Sequence, residues 1–273
     1  MSSPLFSEKA FDSARSATYE GEMTVSGTVN KTIALFIMMI LPAAFLWMKF
    51  GVQGGEGEAG LAYAFNNGLT GYMIGGMIVG FIASLVMMFK QSWAPYLAPV
   101  YAAAEGLFLG AVSLVFNTMY DGIVMNAVGI TLLIFAVMLL AYRSGLLRAT
   151  PMFTKIIVFA TVGVGVFYLI TMVMGMFGVQ SFYYGSSPMS IGISALIAGI
   201  AAFNLILDFD FIERQSANGA PKYMEWFAGV ALLMTLVWLY LEILRLLAKL
   251  QSRDYYLLIV FVLQFQFGTL EFA

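Results

Sequence analysis

Seven stretches of this chain are each long and apolar enough to cross a bilayer as a helix. They lie at about 31–50, 68–90, 97–119, 123–142, 154–178, 189–209 and 227–248. A crossing helix needs roughly 20 mostly apolar residues, because each adds about 1.5 Å against a hydrocarbon core about 30 Å thick. The links between them are short and rich in turn formers: GGEGEAG, SWAP, YDG, RSGLLRATP, YYGSSP and SANGAPK. Consecutive spans are therefore expected to be antiparallel neighbours in one all-α bundle, with no separate soluble domain. Composition agrees: 61% of the 273 residues are hydrophobic and 10% charged, against about half and a quarter in a soluble domain. Pro42, inside the first span, is expected to kink it.

The chain has neither cysteine nor histidine. That removes disulfides, thiolate and imidazole metal sites, Ser–His proteolysis and the usual physiological pH switch. An aspartyl-type protease needs two facing aspartates, and the seventh span offers none, so no enzyme is expected. No resident cofactor and no nucleic-acid partner are expected either. Metal ligation is left open.

Charge placement sets the orientation. With the N-terminus inside, the cytoplasmic segments hold Lys9, Arg15, Lys31, Lys90, Arg143, Arg148, Lys155, Arg214 and Lys222. The outer loops before the last span hold Lys49 beside Glu56, Glu58 and Asp121. The chain is thus read as integral to the cytoplasmic (inner) membrane, monomeric or weakly oligomeric, with residues 1–30 as a polar cytoplasmic arm that is not a cleavable signal peptide. Trp47, Trp93, Trp226 and Trp238 read as interfacial anchors near span ends. Arg245, Lys249 and Arg253 then fall outside, against the rule, which suggests a re-entrant or incompletely spanning last segment. The membrane domain is read as 31–250. The apolar tail 251–273 is either a packing segment or foreign sequence, and carries no functional assignment.

Small residues four apart (Gly71 with Gly75, Gly76 with Gly80, Gly106 with Gly110, Ala195 with Gly199) read as close helix contacts. The nineteen methionines read as core filler and not as a copper array.

Ionisable groups inside a span are costly to bury, so they are the first candidates for a site. These are Glu105 in the third span, Asp208 and Asp210 ending the sixth, and Glu242 late in the seventh. Residues two apart on a helix point about 200° apart, so Asp208 and Asp210 face different ways. Asp210 shares a face with Glu213 and reads as a solvated helix end with a basic partner such as Lys222. Asp208 aligns instead with Asn204, one turn back. Its distance from Met189, roughly 28 Å, puts it near the cytoplasmic mouth. There it either lines a pore or gate, or pairs with Arg143 at the same depth on the fourth span. Glu105, about 12 Å in from the same side, lies near mid-depth. Glu242 lies roughly 25 Å along the seventh span, beside Arg245. It reads as a snorkelling or ion-paired residue at the outer interface. A carboxylate taken out of water can titrate near neutral pH without any histidine.

The stretches MTVSGTVNKT, APVYAAAEGLFLGAVS, LDFDFIERQSANGAPKYMEW and EILRLLAKL, in that order, resemble the Bax inhibitor-1 family, in a bacterial subgroup. The resemblance runs from about Met23 to Leu250. It implies six helices around a central C-terminal seventh. Some members act as pH-sensitive calcium leaks, sensed by one aspartate in an Asp-Thr-Gln-like motif ending span six and another within span seven. Asp208 matches the first, with Phe209 and Asp210 replacing the Thr and Gln. The second falls near Leu233 to Thr235, where no acid stands, and Thr235 is its counterpart. Either Glu105 supplies the missing partner, or this chain does not gate through a pair.

The expected function is thus a pH-sensitive cation leak with Asp208 and Glu105 as gate. Asn204, Asp210, Arg143 and Thr235 are its supporting polar groups, and Ca²⁺ is the transported ion. Oxygen donors alone suit such a hard cation. The alternative is a regulator that binds a membrane protease or stress-response partner, with the N-terminal arm as contact segment.

Overall fold

The computed structural model describes residues 21–51, 57–179, 183 and 185–251. Most of the N-terminal arm, including Lys9 and Arg15, lies outside the described residues, as do Glu56 and the tail with Arg253. Among the described residues eight α-helices follow one another: α1 Val25–Leu46, α2 Gly57–Asn66, α3 Leu69–Phe89, α4 Ala94–Met119, α5 Ile123–Arg143, α6 Pro151–Met176, α7 Pro188–Ala217 and α8 Met224–Gln251. All but α2 are long and apolar enough to cross a membrane, so the seven-span, all-helical expectation holds.

The helix starts follow capping chemistry. Thr150 and Ser187 each precede a proline and accept a hydrogen bond from the backbone N–H three residues on, at 3.2 Å to Phe153 N and to Ser190 N. A proline in the first turn loses nothing there, since its missing N–H would be an orphan anyway. Thr24 caps α1 the same way through Gly27 N at 3.0 Å. α1 runs through Pro42 and ends in a π-helical turn, Trp47–Gly51. The short helix α2 stands where a plain turn was expected.

Two expectations about the spans change. α7 does not end at its aspartates but continues to Ala217, roughly 14 Å beyond Asp208. Arg214 pairs with Asp210 one turn back and supports the extra turns. And α8 is one uninterrupted helix of 28 residues, neither re-entrant nor short.

α8 packs against α1, α4, α5 and α7, while α3 lies on α4 and α6 on α7. The interior is shared between α8 and α4: 72% and 78% of their apolar windows are buried, against 44% or less elsewhere. Glycine makes the closest approach possible. A Cβ on Gly106 would sit 2.1 Å from the Met39 carbonyl oxygen, and one on Gly110 2.7 Å from Ala43 Cα. On the other side of α4, a Cβ on Gly76 would meet the Ala104 carbonyl at 2.5 Å. The other small pairs do not work this way. Gly71, Gly75 and Gly199 face open space, because spacing marks a small stripe but not whether a neighbour lies along it. Trp238, expected at an interface, is buried well inside α8.

The start of α1 is clasped to the α7–α8 connection. Met23 N donates to Ala220 O at 2.7 Å, Lys222 N to Gly21 O at 3.1 Å, and Ser216 Oγ to Met23 O at 3.1 Å. Glu225, in the first turn of α8 and fully buried, accepts from Thr24 N and Thr24 Oγ1, both at 3.0 Å, and from Lys222 Nζ at 2.7 Å. Its carboxylate fills the space that a side chain on Gly27 would need, with a Cβ there falling 1.9 Å from Oε1.

Gly106→Val is expected to lower stability by about 1–3 kcal/mol through overpacking against α1. Gly75→Ala, facing open space, is expected to cost nothing. Thermal unfolding of both variants in detergent checks the contrast.

Candidate functional site

Asp208 lies on α7 where that helix packs against α8. Its carboxyl faces the Thr235 side chain, the position opposite it on α8. One oxygen, Oδ2, is sealed from solvent and has no hydrogen-bond partner. The Thr235 hydroxyl also reaches back to Ala231 O at 3.3 Å, so its single proton is shared between the α8 backbone and Asp208. One turn before Asp208, Asn204 donates to Thr161 Oγ1 on α6 at 2.7 Å and to Ile200 O at 3.0 Å. The polar stripe expected on α7 therefore exists, with Asn204 tying α7 to α6 and Asp208 directed at α8.

The other expected members are placed differently. Arg143 is exposed at the end of α5 and forms no ion pair among the described residues. The alternative of a fixed Asp208–Arg143 pair falls, because the arginine points to solvent. Asp210 pairs with Arg214 on its own helix, and Glu213 accepts from the Tyr142 hydroxyl of α5 at 2.5 Å. Lys222, expected beside them, turns to Glu225 instead. Glu105 is buried on α4, hydrogen-bonded with Tyr101 one turn back, and its Oε2 lies against α3, 3.4 Å from where a Cβ on Gly80 would stand. α8 packs on both α4 and α7, whereas α4 and α7 are not substantial packing partners of each other. The structure thus brings Thr235, and not Glu105, to Asp208.

A second charged centre lies further along α8, in its C-terminal half. Sequence reading put Glu242 and Arg245 at an outer interface. They do pair, with Arg245 Nη1 at 2.9 and 3.0 Å from the two carboxylate oxygens. They do not snorkel: Glu242 is 0% and Arg245 2% exposed. Tyr168 of α6 donates to Glu242, and Arg245 Nη1 donates to the hydroxyls of Tyr168 and Tyr183, each at 2.7 Å. Burial pushes the Tyr183 phenol above its ordinary pKa, so it remains a protonated hydroxyl. Lys249, one turn further, is also buried. Neither cation is exposed, so these two residues do not count as solvated charges in the positive-inside tally. The aromatic partners come from another helix and a connection, and the charge tally along the chain carries no sign of them.

Among the described residues no three acidic side chains gather as a metal-binding group. What the bundle offers is one acid facing a hydroxyl between α7 and α8, and a buried ion-pair network towards the C-terminal end of α8.

Seven apolar helices with buried carboxylates on the interior faces make this an integral membrane protein of the all-helical, multi-span class. A family model described as Bax inhibitor 1 like matches residues 3–252, nearly the whole chain, and the chain belongs to that family. No curated protein and no solved structure matches it.

Glu242→Gln leaves the Arg245 guanidinium buried without its counter-charge and is expected to cost about 3–5 kcal/mol. Tyr168→Phe removes hydrogen bonds but no charge and is expected to cost about 1–3 kcal/mol. Denaturant unfolding in detergent ranks the two.

Proposed function

We propose that this member of the Bax inhibitor 1 like family is a pH-sensitive cation leak, for Ca²⁺, in the cytoplasmic membrane, with its N-terminus in the cytoplasm. Asp208 is its gate. The observation that carries the reading is the sealed, unpartnered Oδ2 of Asp208 at the α7–α8 contact. A carboxylate in that position changes its interactions sharply with protonation. It is negative and short of donors in one state, and neutral with a proton to give in the other. Such a change biases the packing of two adjacent helices, which is what a gate requires.

The reading modifies the two-aspartate scheme that the family resemblance implies. With Thr235 in the second position, no proton is shared between two acids. The gate is one carboxyl and one hydroxyl, and Glu105 is held apart on the α3 side of α4. Nor is a resident Ca²⁺ site required. A leak needs a pathway of oxygen atoms bound weakly enough to let the ion go. Asn204 and Asp208 supply side-chain oxygens along one face of α7.

Ca²⁺ flux into proteoliposomes at pH 6, 7 and 8 tests the proposal. Wild type is expected to show pH-dependent flux, and Asp208→Asn, permanently neutral, flux that no longer varies with pH. A pH dependence that survives in Asp208→Asn removes the gate from this residue. Flux no greater than that of empty liposomes, from folded protein, favours the partner-binding regulator instead. Loss of partner capture on deleting residues 2–22 would then be the deciding result.

Thr235→Val is nearly the same shape but lacks the hydroxyl that faces Asp208. It is expected to move the pH midpoint of flux while leaving its maximum within about twofold, because one hydrogen bond is worth about 1 kcal/mol. An unmoved midpoint counts against the Asp208–Thr235 pairing.

A further inference from the structure

The leak reading makes no use of Lys249, whose surroundings are unusual for a lysine on a membrane helix. Its side chain is 2% exposed. Nζ lies 2.8 Å from the Tyr183 carbonyl oxygen, 2.8 Å from Ser190 Oγ, 2.7 Å from Ser194 Oγ and 3.3 Å from the Ser190 carbonyl. The Tyr183 ring covers it, with its centroid 3.7 Å away. The ammonium's three protons can serve the three oxygens within 2.8 Å, whereas a neutral amine would turn its lone pair on one of them. Lys249 also lies in the last turn of α8, where free carbonyls favour a cation.

Two carbonyls and two hydroxyls around one positive nitrogen make the kind of cage that replaces the water of a monovalent cation in a pore. The cage is shared between elements. Ser190 and Ser194 come from the first turns of α7, and Tyr183 from the connection before it. Ser190 Oγ is itself fixed to the Tyr183 carbonyl at 2.5 Å. One turn back on α8, Arg245 adds a second buried cation, and Glu242 balances only one of the two. Ser190 and Asp208 are separated by roughly 27 Å along α7, so this centre and the gate are distinct sites on the same helix pair.

We propose that Lys249 is a tethered cation that plugs the bundle at a site distinct from Asp208, towards the C-terminal end of α8. Its ammonium fills a monovalent-cation cage formed by Tyr183, Ser190 and Ser194, and together with Arg245 it repels cations arriving from that side. The proposal rests on the leak reading for its consequence, since a plug matters only where there is a path. Arg245 is bound to the Glu242 carboxylate and two tyrosines, whereas Lys249 is held by neutral carbonyl and hydroxyl oxygens alone. In this proposal Lys249 is therefore the releasable part and Arg245 the fixed one.

The absence of native cysteine permits a direct test. Ser194→Cys places a thiol in the cage wall, and its reaction with a small cationic methanethiosulfonate is followed in proteoliposomes with and without Lys249→Met. Removing the lysine is expected to raise the modification rate at least about tenfold and Ca²⁺ flux at fixed pH at least about threefold, the scale on which a local charge changes cation access. Should Lys249→Met lose its size-exclusion peak, Lys249→Gln, neutral but still a donor, is read the same way. Equal modification rates in the two backgrounds, from protein with an unchanged peak, overturn the proposal. So does a change confined to thermal stability, which would make the cluster a lock between α6, α7 and α8. The two readings fail separately. Faster modification without any flux supports the plug and counts against the leak. Flux that loses its pH dependence in Asp208→Asn but ignores Lys249→Met leaves the leak standing and removes the plug.

Discussion

In hydrocarbon there is no water to take up a stray polar group, so each one has to find its partner within the protein. The bundle meets most of that demand. The hydroxyls of Thr28, Thr32 and Thr131 return to carbonyls one turn back on their own helices. Ser113 and Tyr240 join α4 to α8 at 2.7 Å, and Asn204 joins α7 to α6. Charges follow the same rule at higher stakes, because an unpaired buried ion costs several kcal/mol. Arg245, Glu242 and Lys249 are all surrounded by oxygen or aromatic faces. A few atoms are left over: Asp208 Oδ2 is sealed without a hydrogen-bond partner, as are Glu225 Oε2, Trp238 Nε1 and Arg245 Nε. Glu225 and Arg245 keep ion-pair partners on other atoms, whereas Asp208 forms no ion pair among the described residues.

The spans could be read from the chain because bilayer thickness imposes a length that few other structures share. Their ends could not. Hydropathy falls at Asp208 because the side chains become polar, but the backbone has no reason to stop there. FIERQSA is made mostly of residues a helix tolerates, and the Asp210–Arg214 pair supports it. The glycine pairs show the same division. Gly106 and Gly110 carry the α4–α1 contact, whereas Gly71 and Gly75, with identical spacing, meet nothing. A stripe of small residues is a local property, and a neighbouring helix is not.

The candidate site was legible to the same degree. Asp208, Asn204 and Thr235 could be picked out one at a time, by depth, by periodicity and by resemblance. Their assembly, and the exclusion of Glu105 and Arg143 from it, depended on the order of helices around α8. The second charged centre was hidden more completely. Read along the chain, Arg245 and Lys249 look like cations on the wrong side of the membrane. Tyr168 and Tyr183 around Arg245, and Tyr183, Ser190 and Ser194 around Lys249, all more than fifty residues away in sequence, make them interior groups. Charge counting treats every lysine as solvated, and that assumption is what fails here. Glu225 went unnoticed for a related reason: a lone acid after a turn carries no mark of the helix start it will cap.

That cap has a bearing on how the molecule is made. Thr24 and Glu225 are 201 residues apart, so the first helix to leave the ribosome is finished by a carboxylate from the last. Until α8 is in place, the opening turn of α1 lacks the partner for Thr24, and the strand-like contact between Glu22 and Pro221 has no second half. The clasp therefore acts as a closing step in assembly. It joins the first and last described spans and can form only once every span between them has been made.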